Sequence, residues 1–202
     1  MKRAILSAIL SGIVVLFGAA AQPHPEPLKP VTVCEILMNQ QSFDGSNVVL
    51  MGRFGRTDEG NWLTEDSCDR KLETNGFLWP NIIWIEGRVI PDPLSGSLLL
   101  DEPALIGKLA QLRKSTKLGV VSRPTFNIKD PTMPPKWIDV KETWAVVYGR
   151  VEAKKKLETV LDGQNRVRGN GFGHLNGAPV QIVVKERSIR FIKDEEYPAP
   201  NK

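Results

Sequence analysis

The residue types that most often carry out catalysis are scarce in this sequence. Its 202 residues include two histidines, His24 and His174, and two cysteines. A nucleophilic serine or cysteine needs a neighbouring base, and His24 lies among prolines, which leaves His174 to serve alone. The sequence also lacks the Gly-x-Ser-x-Gly segment that exposes a hydrolase nucleophile. The composition therefore favours a non-catalytic protein, and we expect no cofactor.

Carboxylates concentrate around the first predicted hairpin. They belong to Asp58, Glu59, Glu65, Asp66 and Asp69. A calcium site needs several oxygen atoms that converge on one point, and this spacing differs from that of an EF-hand loop. A solvated acidic turn is the expectation, and no metal site is predicted. A metal-dependent hydrolase, such as a secreted nuclease, is the alternative; it requires two or more of Asp58, Glu65, Asp66 and Asp69 to meet an arginine in one cleft.

A glycine-rich stretch, residues 169–177, supplies the first candidates for ligand binding. A phosphate-binding glycine loop precedes a helix, whereas a strand is predicted after this stretch, and no Gly-Lys-Ser/Thr follows it. We therefore expect a connection between two strands. Phe172 and His174 lie within it and are predicted to stack on or hydrogen-bond to a ligand.

Basic and aromatic residues supply the other binding candidates. Residues 136–193 hold 12 Lys or Arg against 6 Asp or Glu, so the C-terminal half is the more basic. Arg166 and Arg168 lie close to the glycine-rich stretch and are candidates for phosphate contacts. Trp137 follows two prolines outside any predicted strand and is the candidate for exposed stacking. All five tryptophans are possible stacking platforms, but at least three of them lie within apolar strands, where a core role is expected; the five are Trp62, Trp79, Trp84, Trp137 and Trp144.

The N-terminus has the pattern of a secretory signal peptide. Met1-Lys2-Arg3 is positive, Ala4 to Gly18 is apolar apart from two serines and two glycines, and Ala19-Ala20-Ala21 supplies small residues. We predict cleavage after Ala21, with an uncleaved anchor as the alternative. No second apolar segment reaches membrane length, so the mature chain is expected to be soluble, in the periplasm or outside the cell. Cleavage lowers the net charge from +4 to +2.

Export determines what is expected of Cys34 and Cys68. In an oxidising compartment these two cysteines can pair only with each other, and we predict a disulfide between them. Two free buried thiols, or a redox pair, are the alternatives. A redox pair is disfavoured because the sequence has no Cys-x-x-Cys and neither cysteine has a neighbouring histidine.

The mature chain divides into a proline-rich linker over residues 22–31, one domain over 32–193 and a tail over 194–202. Thr32 and Glu35 match a capping box, which predicts a short helix to about Gln41. A second helix begins after Asp101, with Leu105, Ile106, Leu109 and Leu112 as its apolar stripe and Gly119 just past its end. The prolines of residues 122–137 predict an irregular excursion.

Alternation and β-branched residues predict five strands. They cover Asn47 to Arg56, Trp62 to about Cys68, Phe77 to Gly87, Glu142 to Ala153, and Pro179 to Ile192, the last interrupted by Lys185-Glu186-Arg187. Three strands, a helix and two further strands follow the order of a five-stranded Greek-key OB barrel, in which the helix between strands three and four plugs one end. The predicted class is mainly β with α; an α+β sandwich is the alternative.

Three segments carry a resemblance to known proteins. They are Val33-x-Glu35-Ile36-Leu37, then Phe43-Asp44-Gly45-x-x-Val48-x-Leu50-x-Gly52, and Val147-Tyr148-Gly149-Arg150-Val151-Glu152. Over residues 33 to 192 the chain resembles uncharacterised exported bacterial proteins with an OB-like core. The resemblance implies the fold and export, and it implies no activity because that group has none established.

The sequence therefore predicts an exported OB-like domain that binds a ligand rather than transforming one. The barrel face and the 162–177 loop are the expected binding surface, and the ligand is an oligosaccharide, a nucleic acid or an envelope protein. The third of these corresponds to a scaffold module that contacts an envelope protein through apolar strand edges.

Overall fold

The computed structural model describes residues 26–66, 68–88, 99–115, 118–125, 136–185 and 188–193. The predicted signal peptide and the tail lie outside the described residues, as do residues 22–25 of the predicted linker. The described residues include no helix that is long and apolar enough to cross a membrane.

Thirteen strands and three α-helices are assigned within this part of the chain. The strands are β1 Pro30–Thr32, β2 Asn47–Thr57, β3 Gly60–Thr64, β4 Glu73–Thr74, β5 Phe77–Leu78, β6 Ile82–Glu86, β7 Val120–Thr125, β8 Lys136–Lys141, β9 Thr143–Ala153, β10 Thr159–Leu161, β11 Val167–Gly169, β12 Val180–Val183 and β13 Ile189–Ile192. The helices are α1 Val33–Met38, α2 Gln40–Phe43 and α3 Glu102–Ser115, and a 3-10 turn covers His174–Asn176.

Five of the strands close into a barrel, in the order β2, β3, β6, β12, β9 and back to β2. The pairing of β6 with β12 is parallel, and the other four pairings around the barrel are antiparallel. This is the Greek-key order of an OB fold, with the third barrel strand beside the fifth. The predicted mainly β class and the five-stranded OB-like barrel are therefore confirmed.

Alternation along the strands separates an inner from an outer face. The inner residues contributed by the barrel strands are Val48, Leu50, Leu63, Ile83, Ile85, Ala145, Val147, Val151, Val180 and Ile182. Because successive side chains of a strand point to opposite faces, the residues between them lie on the outside. Val49 and Met51 are outer residues of this kind, and they belong to a second apolar cluster.

The helix α1 closes the barrel core at one end. Its residues Val33, Ile36 and Leu37 are buried in the same cluster as the inner strand residues. A Cβ on Gly52 would lie 3.0 Å from Cγ2 of Val33, so the absence of a side chain there leaves room for the helix. The predicted capping box is present, with the Glu35 amide donating to Thr32 Oγ1 and the Thr32 amide donating to Glu35 Oε2.

The longer helix α3 does not take the expected position as the barrel plug. Its buried residues Leu105, Leu109 and Leu112 pack on the outer residues of β2 and β9, which include Trp144 and Val146. Asp101 caps this helix, because its carboxylate accepts a hydrogen bond from the Ala104 amide at 3.0 Å. Ile106 is 49% exposed and lies off the buried stripe, contrary to the prediction.

Two predicted elements are divided in the structure. The predicted strand from Phe77 to Gly87 is divided at Pro80, which has no N–H to donate to a neighbouring strand. Its first part is β5, which pairs with β4 across the Asn75-Gly76 turn. Its second part is β6, the third strand of the barrel. The predicted fifth strand is interrupted after Val183. Its two parts, β12 and β13, pair with successive stretches of β9.

The predicted irregular excursion over residues 122–137 is wrong at both ends. Val120–Thr125 and Lys136–Lys141 form β7 and β8, which pair antiparallel with each other. A two-stranded hairpin needs ladder hydrogen bonds on one edge of each strand only, so it tolerates Pro124 within β7.

Candidate functional site

A row of side-chain positions crosses the outer face of four neighbouring barrel strands. Trp62 on β3 pairs with Trp84 on β6, Trp84 pairs with Gln181 on β12, and Gln181 pairs with Glu152 on β9. Paired residues of adjacent strands project on the same side of a sheet, so two aromatic rings are followed by an amide and a carboxylate. Gln181 Nε2 donates to Glu152 Oε2 at 2.7 Å. We call the outer surface around Trp62 and Trp84 the tryptophan face.

Trp62 covers a glycine on the neighbouring strand. Gly55 on β2 is its cross-strand partner, and a Cβ on Gly55 would lie 2.2 Å from Nε1 of Trp62. The indole therefore occupies the space into which a side chain at position 55 would project. The ring also stacks on Trp84, with 6.3 Å between centroids and 17° between planes. Trp62 is partly exposed.

Trp84 is enclosed from two directions and is 9% exposed. A Cβ on Gly60 would lie 2.2 Å from its Cζ2 atom, and a Cβ on Gly173 would lie 2.2 Å from its Cδ2 atom. Gly173 belongs to the connection before β12, so this connection reaches over the tryptophan face. Its φ of 69° is in the left-handed region, which glycine adopts without strain.

Residues 170–177, which we call the finger loop, form a narrow projection. The Gly171 amide donates to the Asn176 carbonyl at 3.0 Å, and Phe172 and Ala178 form an isolated bridge at its base. At its tip, His174 Nε2 lies 3.2 Å from Glu59 Oε1, in the turn that joins β2 to β3. At its base, Lys154 Nζ lies 4.5 Å from the centre of the Phe172 ring. The predicted binding residues Phe172 and His174 therefore border the tryptophan face.

Arg166 and Arg168 lie in the β10–β11 hairpin, where both pair with one carboxylate. The Nε atoms of the two arginines are 2.9 and 3.1 Å from Asp162 Oδ2. The amides of Arg166 and Gln164 also donate to Asp162 Oδ1. These hydrogen bonds, the Arg166 amide first, lower the pKa of Asp162 from 3.8 to about 2. Both arginines thus hold the turn of their own hairpin.

Trp137 lies in a strand, whereas a position outside any strand was predicted. It belongs to β8 and pairs with Pro124 of β7. The β7–β8 hairpin joins α3 to β9, so the chain places Trp137 in a different connection from Phe172 and His174.

A network of ion pairs lies on the outer face beside Trp62. Arg53 precedes Gly55 by two residues and pairs with Thr64, so it is a diagonal neighbour of Trp62 across the sheet. Its guanidinium donates to Asp66 and, at 2.8 Å, to Glu142 Oε1. Arg53 thus meets Asp66, a member of the predicted acidic group.

Glu65 has a structural role in the described part of the chain. It is buried, and its Oε2 accepts the Cys34 amide at 2.9 Å, which satisfies an amide in the first turn of α1. Burial raises the pKa of Glu65, and hydrogen bonds from Cys34 and Thr32 oppose that rise. Among the described residues, no three His, Cys, Asp or Glu side chains converge to hold a metal ion.

The predicted disulfide between Cys34 and Cys68 is confirmed. The Cα atoms are 5.3 Å apart, within the range that a disulfide requires. The bond joins α1 to the segment that follows β3, beside the Glu65 contact. It therefore fixes α1, the helix that closes one end of the barrel core, to the barrel.

The sequence does not separate the partly exposed Trp62 from the other tryptophans that are possible stacking platforms, because a core role is expected for tryptophans in apolar strands. The signal that distinguishes it is a glycine, Gly55, at the facing position of the preceding strand. Register cannot be read from an isolated sequence with enough accuracy to align the two residues. Comparison of the chain with protein-family models, with curated proteins and with solved structures finds no match.

Proposed function

We propose that this chain is an exported, non-catalytic OB-fold binding module, of the kind that the three resembling segments indicate. Its binding surface is the tryptophan face bordered by the finger loop. OB folds bind extended ligands on the face of their second and third strands, between the loops that join strands one to two and four to five. β3 and β6 are those strands here, and the contact between His174 and Glu59 joins those two loops.

The observation that carries this proposal is the partly exposed Trp62 beside a bordering loop. A stacking surface with polar groups around it is the usual composition of a ligand site. The Cys34–Cys68 disulfide supports export, because disulfides persist in oxidising compartments. The N-terminal pattern of Lys2, Arg3 and the apolar run supports a periplasmic or extracellular location.

The test is a thermal-shift screen of the mature chain against oligosaccharides, single-stranded nucleic acid and divalent ions. We expect a rise in Tm with at least one ligand, and loss of that rise in the Trp62→Ala variant. Leu161→Ala is the matched control, because Leu161 is 65% exposed and lies in the β10–β11 hairpin. A flat response to all three classes would exclude a ligand-binding module.

A scaffold module is the second candidate, and one observation favours it. Leu161 and Val167 are paired across the β10–β11 hairpin, and they are 65% and 49% exposed. Contiguous exposed apolar patches are typical of protein–protein contact surfaces, and this pair would form the centre of such a patch. A pull-down from envelope extract with wild-type and Leu161→Asp proteins tests this role: a specific partner lost in the variant supports it, and identical captures exclude it.

A further inference from the structure

We propose that the tryptophan face binds an uncharged oligosaccharide, with a sugar ring stacked on Trp62. This inference rests on the proposed function and specifies its ligand. Three features support it, namely the partly exposed ring of Trp62, the polar groups beside that ring and the sign of the surrounding charge.

Trp62 is the tryptophan that offers a stacking surface on this face. Trp84 is enclosed by Gly60 and Gly173, whereas Trp62 is partly exposed and lies across the unsubstituted position of Gly55. A pyranose ring has an apolar face of C–H groups and a rim of hydroxyls. An indole that lies across a sheet can pack against that apolar face.

The groups beside Trp62 combine donors with acceptors. Arg53 and Asp66 form an ion pair on one side, and His174 and Glu59 form a contact at the end of the β2–β3 turn. Each sugar hydroxyl is both a donor and an acceptor, so paired guanidinium and carboxylate groups match it. Such ion pairs offer a hydrogen-bond donor and a hydrogen-bond acceptor side by side without a large net charge.

The surrounding charge disfavours a polyanion. Beside Trp62 the guanidinium of Arg53 is paired with the carboxylates of Asp66 and Glu142, and His174 lies against the carboxylate of Glu59. Single-stranded nucleic acid binds through basic side chains that neutralise phosphates. The basic residues of the neighbouring hairpin, Arg166 and Arg168, are paired with Asp162. A neutral ligand therefore fits the face better than a nucleic acid.

Isothermal titration and tryptophan fluorescence of the mature chain test this inference. The probes are cellotetraose, chitotetraose, maltotetraose and a dodecamer of thymidylate. We expect at least one of the sugars to bind, with an affinity that does not change between low and high salt, because no counterions are released. Trp62→Ala should weaken that binding at least about tenfold, as removal of an aromatic stacking partner does.

Two variants separate a loss of binding from a loss of folding. Trp62→Phe should retain most of the sugar affinity, and Leu161→Ala should retain all of it. A sugar that binds Trp62→Ala as tightly as wild type would overturn the role of Trp62. Failure of all three sugars at millimolar concentration would overturn the ligand class. If thymidylate then binds through Trp62 with strong salt dependence, the proposed function stands and the carbohydrate inference falls.

Discussion

Single residues set the position of the finger loop, and Gly173 is the clearest case. A methyl group there would lie 2.2 Å from the Trp84 ring, and the φ of 69° would be strained for any other residue. The loop therefore approaches the sheet only because this position has no side chain.

The first prediction follows from that contact. Gly173→Ala should lower the free energy of unfolding by about 1–3 kcal/mol, because the ring or the loop must move. Gly163→Ala, in the turn between β10 and β11, is the control, since nothing lies within 4 Å of its Cβ position, and its effect should stay within about 0.5 kcal/mol. Urea unfolding followed by tryptophan fluorescence measures both. Equal stabilities would contradict the packing of Gly173 on Trp84.

The second prediction concerns Glu65, whose pKa is raised in the folded protein by burial. A carboxyl group with a raised pKa binds more protons when the chain is folded. The free energy of unfolding therefore falls as pH rises from about 4.5, the ordinary pKa, through the raised value. Glu65→Gln keeps an acceptor for the Cys34 amide and removes this part of the pH dependence.

Unfolding in urea at a series of pH values from about 4 upward measures the effect. The exposed Glu73 provides the control, and Glu73→Gln should keep the wild-type pH profile. A Glu65→Gln profile parallel to that of the wild type would refute the assigned role of burial.

At the scale of elements, α3 contributes an outer layer rather than a plug. Its three leucines pack on Val49, Met51, Trp144 and Val146. Leu109→Ala should destabilise the protein by about 2–5 kcal/mol, as truncation of a buried leucine does. Ile106→Ala, on the exposed side of the same helix, should change stability by no more than about 0.5 kcal/mol. Unfolding in guanidinium chloride measures the stability of both variants. Similar losses of stability would contradict the packing of α3 through its leucine side.

The elements that sequence patterns predicted well are those with a local cause. Thr32 and Glu35 form their capping box within one turn, and Asn75-Gly76 adopts positive φ at both positions of its turn. The β7–β8 and β10–β11 hairpins were not predicted, because prolines in one and charged residues in the other obscure alternation. The predicted position of α3 as a barrel plug is wrong, because an apolar stripe indicates that a helix packs on something but does not indicate on which surface.

At the scale of the whole molecule, the disulfide joins α1, which closes one end of the barrel core, to the barrel. Cys34 and Cys68 are separated by 34 positions, and a bond across such a loop stabilises the protein by about 3–4 kcal/mol in the chain-entropy model. A Cys34→Ser/Cys68→Ser double variant should lose about that amount in urea unfolding. Reductant should lower the wild-type midpoint and leave that of the variant unchanged. An effect of reductant on the variant would contradict this assignment.

The barrel topology followed from the order of elements, whereas the candidate binding face did not. The order of the strands along the chain can be predicted from long strands such as β2 and β9, because their alternating apolar residues are visible in the sequence. The tryptophan face depends on register across four strands and on a loop that folds back over Trp84. Both are long-range features, so the candidates chosen from local sequence included Phe172 and His174 at the border but omitted Trp62 at the centre.

The parallel pairing of β6 with β12 joins residues that are far apart in the sequence, such as Ile83 and Val180, which are 97 positions apart. Neither half of a polypeptide divided between α3 and β7 contains enough strands to close a cylinder. The first half carries β2, β3 and β6, and the second carries β9 and β12. Each half therefore needs the strands of the other to complete the barrel, so a chain cut in this stretch should keep its fold only while the two pieces stay associated.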